Sequence, residues 1–123
     1  WFGHASRMYP ELGLVFAIPN GGWRTKRTGG RMKGEGVRPG VPDLFLAMPT
    51  VLGYHGLFVE MKRISGGRTS PEQREWAARL QAAGYCVAVA HGWIDARTLI
   101  LDYLGKEDPH AAKTTRPGAC PPQ

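Results

Sequence analysis

Three charged side chains in the middle of the chain have the types and spacing that phosphodiester hydrolysis needs. Asp43 opens an apolar run, Asp-Leu-Phe-Leu-Ala-Met, and Glu60 and Lys62 end a second one, Gly-Leu-Phe-Val-Glu-Met-Lys. Carboxylates are hard oxygen ligands, which suit Mg²⁺ or Mn²⁺. A metal ion lowers the pKa of a bound water and stabilises charge on a phosphate, while a lysine orients or deprotonates the attacking water. The residue set therefore suits metal-assisted hydrolysis.

Both apolar runs are predicted to be strands of one hairpin, over residues 43–48 and 56–63, which would bring the three charges to one place. Side chains alternate between the two faces of a strand. Glu60 and Lys62 therefore share a face, and the apolar residues between and before them point into a core. The hairpin predicts a polar site on one face of a sheet.

Ordinary structural roles compete with this interpretation. Asp43 after a proline is also typical of a turn or a strand edge, and Glu60 with Lys62 is also typical of an exposed cross-strand ion pair. The apolar character of Leu57-Phe58-Val59 indicates a central strand instead. A carboxylate buried there needs a compensating cation, which a metal ion would supply.

The motifs in this region resemble those of the PD-(D/E)xK nuclease superfamily, with Pro-Asp as the first element and Glu-x-Lys as the second. The closer resemblance is to the VRR-NUC family, which includes small phage nucleases and the catalytic domain of the Fanconi-associated nuclease. Its elements are matched here by Gly40-Val41-Pro42-Asp43, Glu60-Met61-Lys62, Ser70-Pro71-Glu72-Gln73, the upstream Pro19-Asn20-Gly21-Gly22 and Glu11. The resemblance spans residues 9–104. One short pattern recurs by chance, but several in order are specific.

The resemblance implies a restriction-endonuclease-like α/β core, with a mixed central sheet flanked by helices, and metal-dependent cleavage of DNA. It implies that Asp43 and Glu60 bind Mg²⁺ or Mn²⁺ with help from the Met61 carbonyl, and that Lys62 assists the attacking water. Gln73 and Glu11 would complete the site. Small members of the family act as homodimers on branched DNA, such as Holliday junctions or flaps, and the same is implied here.

Gln73 also has a structural explanation. Ser70-Pro71-Glu72-Gln73 begins the clearest helix of the chain, with serine as N-cap, proline at the first position and glutamine closing a capping box. A capping side chain folds back on its own helix, so the sequence predicts competition between capping and a contact with the site.

Glu11 has a structural explanation of its own. An early helix is predicted over residues 6–16, starting at Tyr9-Pro10, and a glutamate in its first turn interacts favourably with the helix dipole. Phe16-Ala17-Ile18-Pro19 is alternatively the beginning of a short strand. The role of Glu11 therefore depends on where the first turn lies.

The rest of the chain predicts an α/β domain. Residues 85–91 have the pattern of a buried strand and residues 92–104 that of a helix, so strands and helices alternate. We expect a single domain over residues 1–105. Residues 106–123, rich in proline and without periodicity, are expected to form a flexible tail.

Positive charge is concentrated just before the proposed site. The net charge is +6, and the basic side chains between residues 23 and 38 face only Glu35 as an acidic neighbour. The residues expected to contact DNA are Arg24, Lys26, Arg27, Arg31, Lys33, Arg38, Arg63 and Arg68. Lysine and arginine gain affinity for phosphates through counterion release, with little sequence specificity. The alternative is a solvated basic loop.

Composition limits the remaining possibilities. Hydrophobic residues make up 42% of the chain, and no apolar run approaches the ~20 residues that span a bilayer. We expect an intracellular, cytoplasmic protein of phage type, and reduced thiols at Cys86 and Cys120 rather than a disulfide. Two other functions fit the basic loop: a non-catalytic DNA-binding module with the same fold, and an anion-binding regulatory domain. The second leaves the buried carboxylates without a purpose.

Overall fold

A four-stranded mixed sheet, with helices packed on both faces, organises the described part of the chain. The computed structural model describes residues 2–19, 30–31, 33–108 and 120. The strands lie side by side in the chain order of β1 (Val15–Ala17), β2 (Leu44–Leu46), β3 (Leu57–Lys62) and β4 (Cys86–His91). The helical elements include α1 (Phe2–Met8), a 3-10 helix (Pro10–Leu14), α2 (Pro71–Ala82) and α3 (Trp93–Tyr103). The predicted α/β architecture is confirmed.

Strand pairing places the two predicted site strands side by side. β2 and β3 are antiparallel, with Leu44 opposite Val59 and Leu46 opposite Leu57. β1 pairs antiparallel with β2, and β4 pairs parallel with β3. Parallel neighbours need a crossover connection, which here contains α2. The predicted hairpin is confirmed, and β3 lies in the interior of the sheet.

The hydrophobic core lies on one face of the sheet, against α3. Leu57 and Val59 of β3 are 0% and 1% exposed. From α3 the core receives Ala96, Leu99, Ile100 and Leu101. Because side chains alternate along β3, Phe58, Glu60 and Lys62 project from the opposite face, where α2 lies. One face of the sheet therefore forms the hydrophobic core, and the other carries the charged side chains of the candidate site.

Helix α2 begins where the sequence predicts. The Ser70 hydroxyl accepts a hydrogen bond from the Gln73 N–H, the Gln73 side chain accepts one from the Ser70 N–H, and proline occupies the first turn. This capping box satisfies two of the donors that a helix start leaves open. The helix start is therefore fixed locally, and it fixes Gln73 in turn.

The early segment differs from the predicted helix over residues 6–16. Helix α1 ends at Met8, the 3-10 helix follows, and Val15–Ala17 forms the edge strand β1. Pro10 has no N–H with which to continue α1, and the branched and aromatic side chains after Gly13 favour a strand. The alternative of an early strand is the correct one, because tertiary pairing with β2 outweighs local helix propensity.

Parts of the predicted tail are anchored to the domain. Asp108, whose side chain is 2% exposed, lies 3.0 Å from Arg97 Nε of α3. Cys120 forms a disulfide with Cys86 of β4, their Cα atoms being 5.8 Å apart. The expectation of reduced, separate thiols was wrong, because the chain folds back over a sequence separation of 34 residues. Within the described ranges, no helix has the length and apolar character required to cross a membrane.

Candidate active site

Asp43 is held against β3 by its own backbone and side chain. Its N–H donates to the Val59 carbonyl at 3.1 Å, and its Oδ2 accepts from the Met61 N–H at 2.7 Å. The residue lies immediately before β2, where the ladder with β3 ends, so β3 has backbone groups free to bind a side chain. The predicted meeting of Asp43 with the Glu-x-Lys segment is thus present in the structure.

Glu60 and Lys62 form a buried pair on the face opposite the core. Lys62 Nζ lies 3.1 Å from Glu60 Oε1, and the two side chains are 9% and 8% exposed. An exposed ion pair of this kind contributes little to stability, whereas a buried one needs further hydrogen bonds to offset desolvation. The exposed-pair alternative is therefore wrong.

Gln73 supplies those further hydrogen bonds from α2. Its Oε1 accepts from Lys62 Nζ at 2.6 Å and from the Ser70 N–H at 2.9 Å, and its Nε2 donates to Glu60 Oε1. The predicted competition between capping and the site was wrong. An amide oxygen has two lone pairs and the amide nitrogen two donors, so one side chain serves both.

The electrostatics of the site favour an added cation. Burial raises the pKa of the Glu60 carboxyl above its ordinary value of 4.5, and the neighbouring Asp43 carboxylate raises it further, against the opposing effect of Lys62. The Lys62 ammonium therefore does not fully offset the burial of Glu60. A divalent cation beside Glu60 would favour its ionised form.

The donor set suits a small, hard metal ion. Among the described residues, no group of three or more His, Cys, Asp or Glu side chains is arranged to hold a metal. Mg²⁺ does not need such a group, because it keeps several waters and binds through one or two carboxylates and substrate phosphates. Along a strand, every second residue directs its N–H and carbonyl to the same side. Since the Met61 N–H points to Asp43 on the β2 side of β3, its carbonyl points to the β2 side as well.

Glu11 does not join this cluster. Its Oε1 lies 3.4 Å from Lys106 Nζ, and its Oε2 is buried without a hydrogen-bond partner. The residue precedes the end of β1 that pairs with Leu46, whereas Asp43 flanks the opposite end of β2. The 3-10 helix therefore places Glu11 away from the carboxylate pair, contrary to the role that the resemblance implies. A backbone hydrogen bond, with a contribution from Lys106, lowers its pKa.

The basic residues predicted to contact DNA are exposed wherever the structure describes them. Arg63 and Arg68 are exposed in the loop that follows β3, next to Lys62 along the chain. Arg31, Lys33 and Arg38 are also exposed, and Arg31 pairs with Glu35 at 2.8 Å. The remaining predicted DNA contacts, Arg24, Lys26 and Arg27, lie outside the described residues. Contact with DNA stays a prediction for all eight.

Gly40 contributes to the site in a way that sequence reasoning missed. It adopts a φ of +84°, and a Cβ there would stand 2.7 Å from the Glu72 carbonyl carbon. The loop that carries Asp43 thus passes directly against the first turn of α2. The signal is present in the sequence, because the motif Gly-Val-Pro-Asp begins with the glycine that this close approach requires.

Fold and site together define a nuclease-type α/β domain, with the acidic and basic residues of the PD-(D/E)xK pattern on one sheet face. Comparison with known families gives a match to the VRR-NUC domain over residues 26–93, more than half of the chain. The chain therefore belongs to the VRR-NUC family. The match includes the three motifs that form the site and leaves out Glu11 and the Pro-Asn-Gly-Gly segment.

A solved structure described as a VRR_NUC domain protein has the same fold. It is 28% identical in sequence with a TM-score of 0.64, and the alignment covers 80% of this chain and 73% of that chain. A search of curated proteins finds no match.

Proposed function

We propose that this protein is a metal-dependent DNA endonuclease that hydrolyses phosphodiester bonds. The observation that carries the proposal is the connected cluster of Asp43, Glu60, Lys62 and Gln73. Each is tied to the next through hydrogen bonds, an ion pair or electrostatic interaction. Families of this kind act on nucleic acid, and the net charge of +6 favours a polyanion.

In this proposal each residue has a separate role. Asp43, Glu60 and the Met61 carbonyl would hold Mg²⁺ or Mn²⁺, which supplies Lewis-acid stabilisation of phosphate charge and a lowered pKa of water. Lys62 orients or deprotonates the attacking water. Gln73 keeps Lys62 and Glu60 in place, and it ties them to the start of α2. Glu11 has no role in this scheme.

We further propose branched DNA as the preferred substrate and a homodimer as the active form. A chain with one site needs a second copy to cut two strands symmetrically. Both statements rest on the family rather than on a described surface, and light scattering of the purified protein tests the second directly. A mass of one chain under cleavage conditions would contradict it.

Cleavage of labelled DNA tests the function. Duplex, flap and four-way-junction substrates are incubated with Mg²⁺ or Mn²⁺, beside an EDTA control and the variants Asp43→Ala and Lys62→Ala. We expect metal-dependent cutting that both variants lose while still binding DNA. The preferred substrate then follows from the relative rates.

A thermal shift separates metal binding from turnover. A metal ion at 100 times its Kd stabilises the folded state by about 2.7 kcal/mol, so Mn²⁺ should raise the Tm of the wild type and not that of Asp43→Ala. Binding of DNA without cleavage under any metal would instead support the rival function, a non-catalytic DNA-binding module with this fold.

A further inference from the structure

A row of aromatic side chains crosses three strands on the same sheet face as Glu60. Phe16 of β1 pairs with Phe45 of β2, and Phe45 pairs with Phe58 of β3. The ring centroids of Phe16 and Phe45 are 5.5 Å apart in an edge arrangement, and those of Phe45 and Phe58 are 4.3 Å apart and stacked. We call these three residues the aromatic row.

The aromatic row lies one side-chain step from the carboxylates. Phe45 is two residues after Asp43, and Phe58 is two residues before Glu60. Two residues along a strand cover ~7 Å on one face. A nucleotide that neighbours a phosphate held at the carboxylates would therefore have its base over the row.

The row is flanked by Tyr85 on the same sheet face and is open at the end formed by Phe16. Tyr85 lies 5.3 Å from Phe58 and 5.9 Å from Phe45 between ring centroids. A Cβ at Gly56 would stand 2.7 Å from the Phe45 ring, so glycine is what allows the ring to lie there. Phe16, on the edge strand, remains 53% exposed. The row is thus a fixed ring surface with one ring accessible to solvent.

Packing alone does not account for Phe16. The core is on the other face of the sheet, and an exposed edge phenylalanine buries little apolar surface there. Single exposed apolar residues are ordinary, but this one ends an ordered row of rings beside an acidic site in a basic protein. Stacking on an aromatic ring strengthens the binding of single strands and accepts every base.

We propose that the aromatic row binds an unpaired nucleobase next to the phosphate held at Asp43 and Glu60. The proposal rests on the proposed function, and it specifies the substrate as DNA with a single-stranded or unstacked nucleotide at the cut site. A base within an intact duplex is stacked between its neighbours and does not present a face to Phe16. Arg63 and Arg68, exposed after β3, are available for the adjoining phosphates.

The test uses binding in EDTA, where no cleavage occurs. Short single-stranded oligodeoxynucleotides carry the fluorescent base 2-aminopurine at successive positions, and Phe16→Ala and Phe16→Leu are compared with the wild type. Leucine keeps the apolar contact with Phe45 but has no ring. The matched control is Val51→Ala, an exposed apolar residue 104% exposed in the turn before β3.

We expect 2-aminopurine quenching at one position in the wild type, lost in both Phe16 variants and kept in Val51→Ala. Affinity for single strands should fall roughly ten-fold in the Phe16 variants, with affinity for blunt duplex unchanged. Equal single-strand affinity and quenching in Phe16→Leu and wild type would overturn the proposal. So would a lower oligomeric mass of Phe16→Ala, which would make the row an interface between copies.

Failure of the proposed function gives a different result. If the wild type cuts no DNA but shows 2-aminopurine quenching that depends on Phe16, the proposed base site stands and the proposed nuclease activity is contradicted. If Phe16→Leu cuts flaps as fast as the wild type does, the nuclease proposal stands and the proposed base site is overturned.

Discussion

Lys62 Nζ donates to Gln73 Oε1 at 2.6 Å, and the same oxygen accepts the Ser70 N–H that closes the capping box of α2. One atom therefore joins the start of a helix to the proposed catalytic lysine. A buried lysine loses rotamer freedom and solvation, so a fixed acceptor lowers the cost of holding it in place. The position of the Lys62 ammonium therefore depends on the start of α2.

Capping and positioning can be separated by two substitutions. Ser70→Ala removes the hydroxyl acceptor but leaves the Ser70 N–H and Gln73, so we expect a loss of ~1 kcal/mol of stability with kcat little changed. Gln73→Ala also removes the partner of Lys62 and Glu60, and we expect it to lower kcat at least ten-fold as well. Urea unfolding and single-turnover cleavage measure the two effects. Equal kcat values for both variants would contradict a positioning role for Gln73.

Lys62→Met tests the lysine itself. Methionine is similar in length and has no charge, so we expect a loss of roughly 10²–10⁴-fold in kcat, the usual contribution of a general acid or base. Mn²⁺ binding, measured by calorimetry, should persist because both carboxylates remain. A variant that keeps its rate would remove Lys62 from the mechanism. Arg74→Met, an exposed basic residue on α2, is the control for lost charge.

Glu60→Gln should stabilise the metal-free protein. Because burial raises the pKa of Glu60 above 4.5, the folded state binds a proton more tightly than the unfolded chain does. The free energy of unfolding of the wild type therefore falls as pH rises from 4.5 through the folded-state pKa of Glu60. Below pH 4.5 this contribution to stability is fully present. The amide variant lacks this loss.

We expect that variant to be more stable than the wild type above the folded-state pKa of Glu60, with no difference below pH 4.5. Urea unfolding in EDTA across pH checks this, with Glu75→Gln, an exposed glutamate on α2, as control. A Glu60→Gln protein less stable than the wild type at neutral pH would show that its carboxylate is already well compensated without metal.

Local rules made much of the site predictable from the sequence. Alternation along a strand put Glu60 and Lys62 on one face, and the capping pattern located the start of α2. Neither depends on distant parts of the chain, which is why both predictions are confirmed. The motif order then indicated that Asp43 meets them.

Long-range pairing decided what the sequence did not predict. Glu11 was grouped with the carboxylates by its position in a motif, but the register of β1 against β2 places it near the other end. The Cys86–Cys120 disulfide joins segments 34 residues apart, and no local pattern indicates that they meet. The same holds for the aromatic row, whose members come from three strands.

Gly40→Ala is the substitution expected to disturb the alignment of the two halves of the site. Its φ of +84° disfavours a side chain, and a Cβ would stand 2.7 Å from both the Glu72 carbonyl carbon and the Glu72 Cβ. The new methyl group must push the loop carrying Asp43 away from the helix carrying Gln73. Gly36→Ala is the matched control, because Gly36 has a φ of +94° but nothing within 4 Å of the added atom.

The free energy of unfolding should fall by ~1 kcal/mol in both variants, because alanine disfavours the left-handed conformation. In Gly40→Ala it should fall by about 1–3 kcal/mol more, because of the close contact. Since a displacement of about 1 Å in a catalytic group costs up to ~100-fold in rate, we expect kcat to fall at least ten-fold in Gly40→Ala alone. Urea unfolding and cleavage under single-turnover conditions supply both numbers. Equal losses of kcat in the two variants would mean that the loop moves without disturbing the site. Asp43 would then be positioned by its hydrogen bond from the Met61 N–H instead.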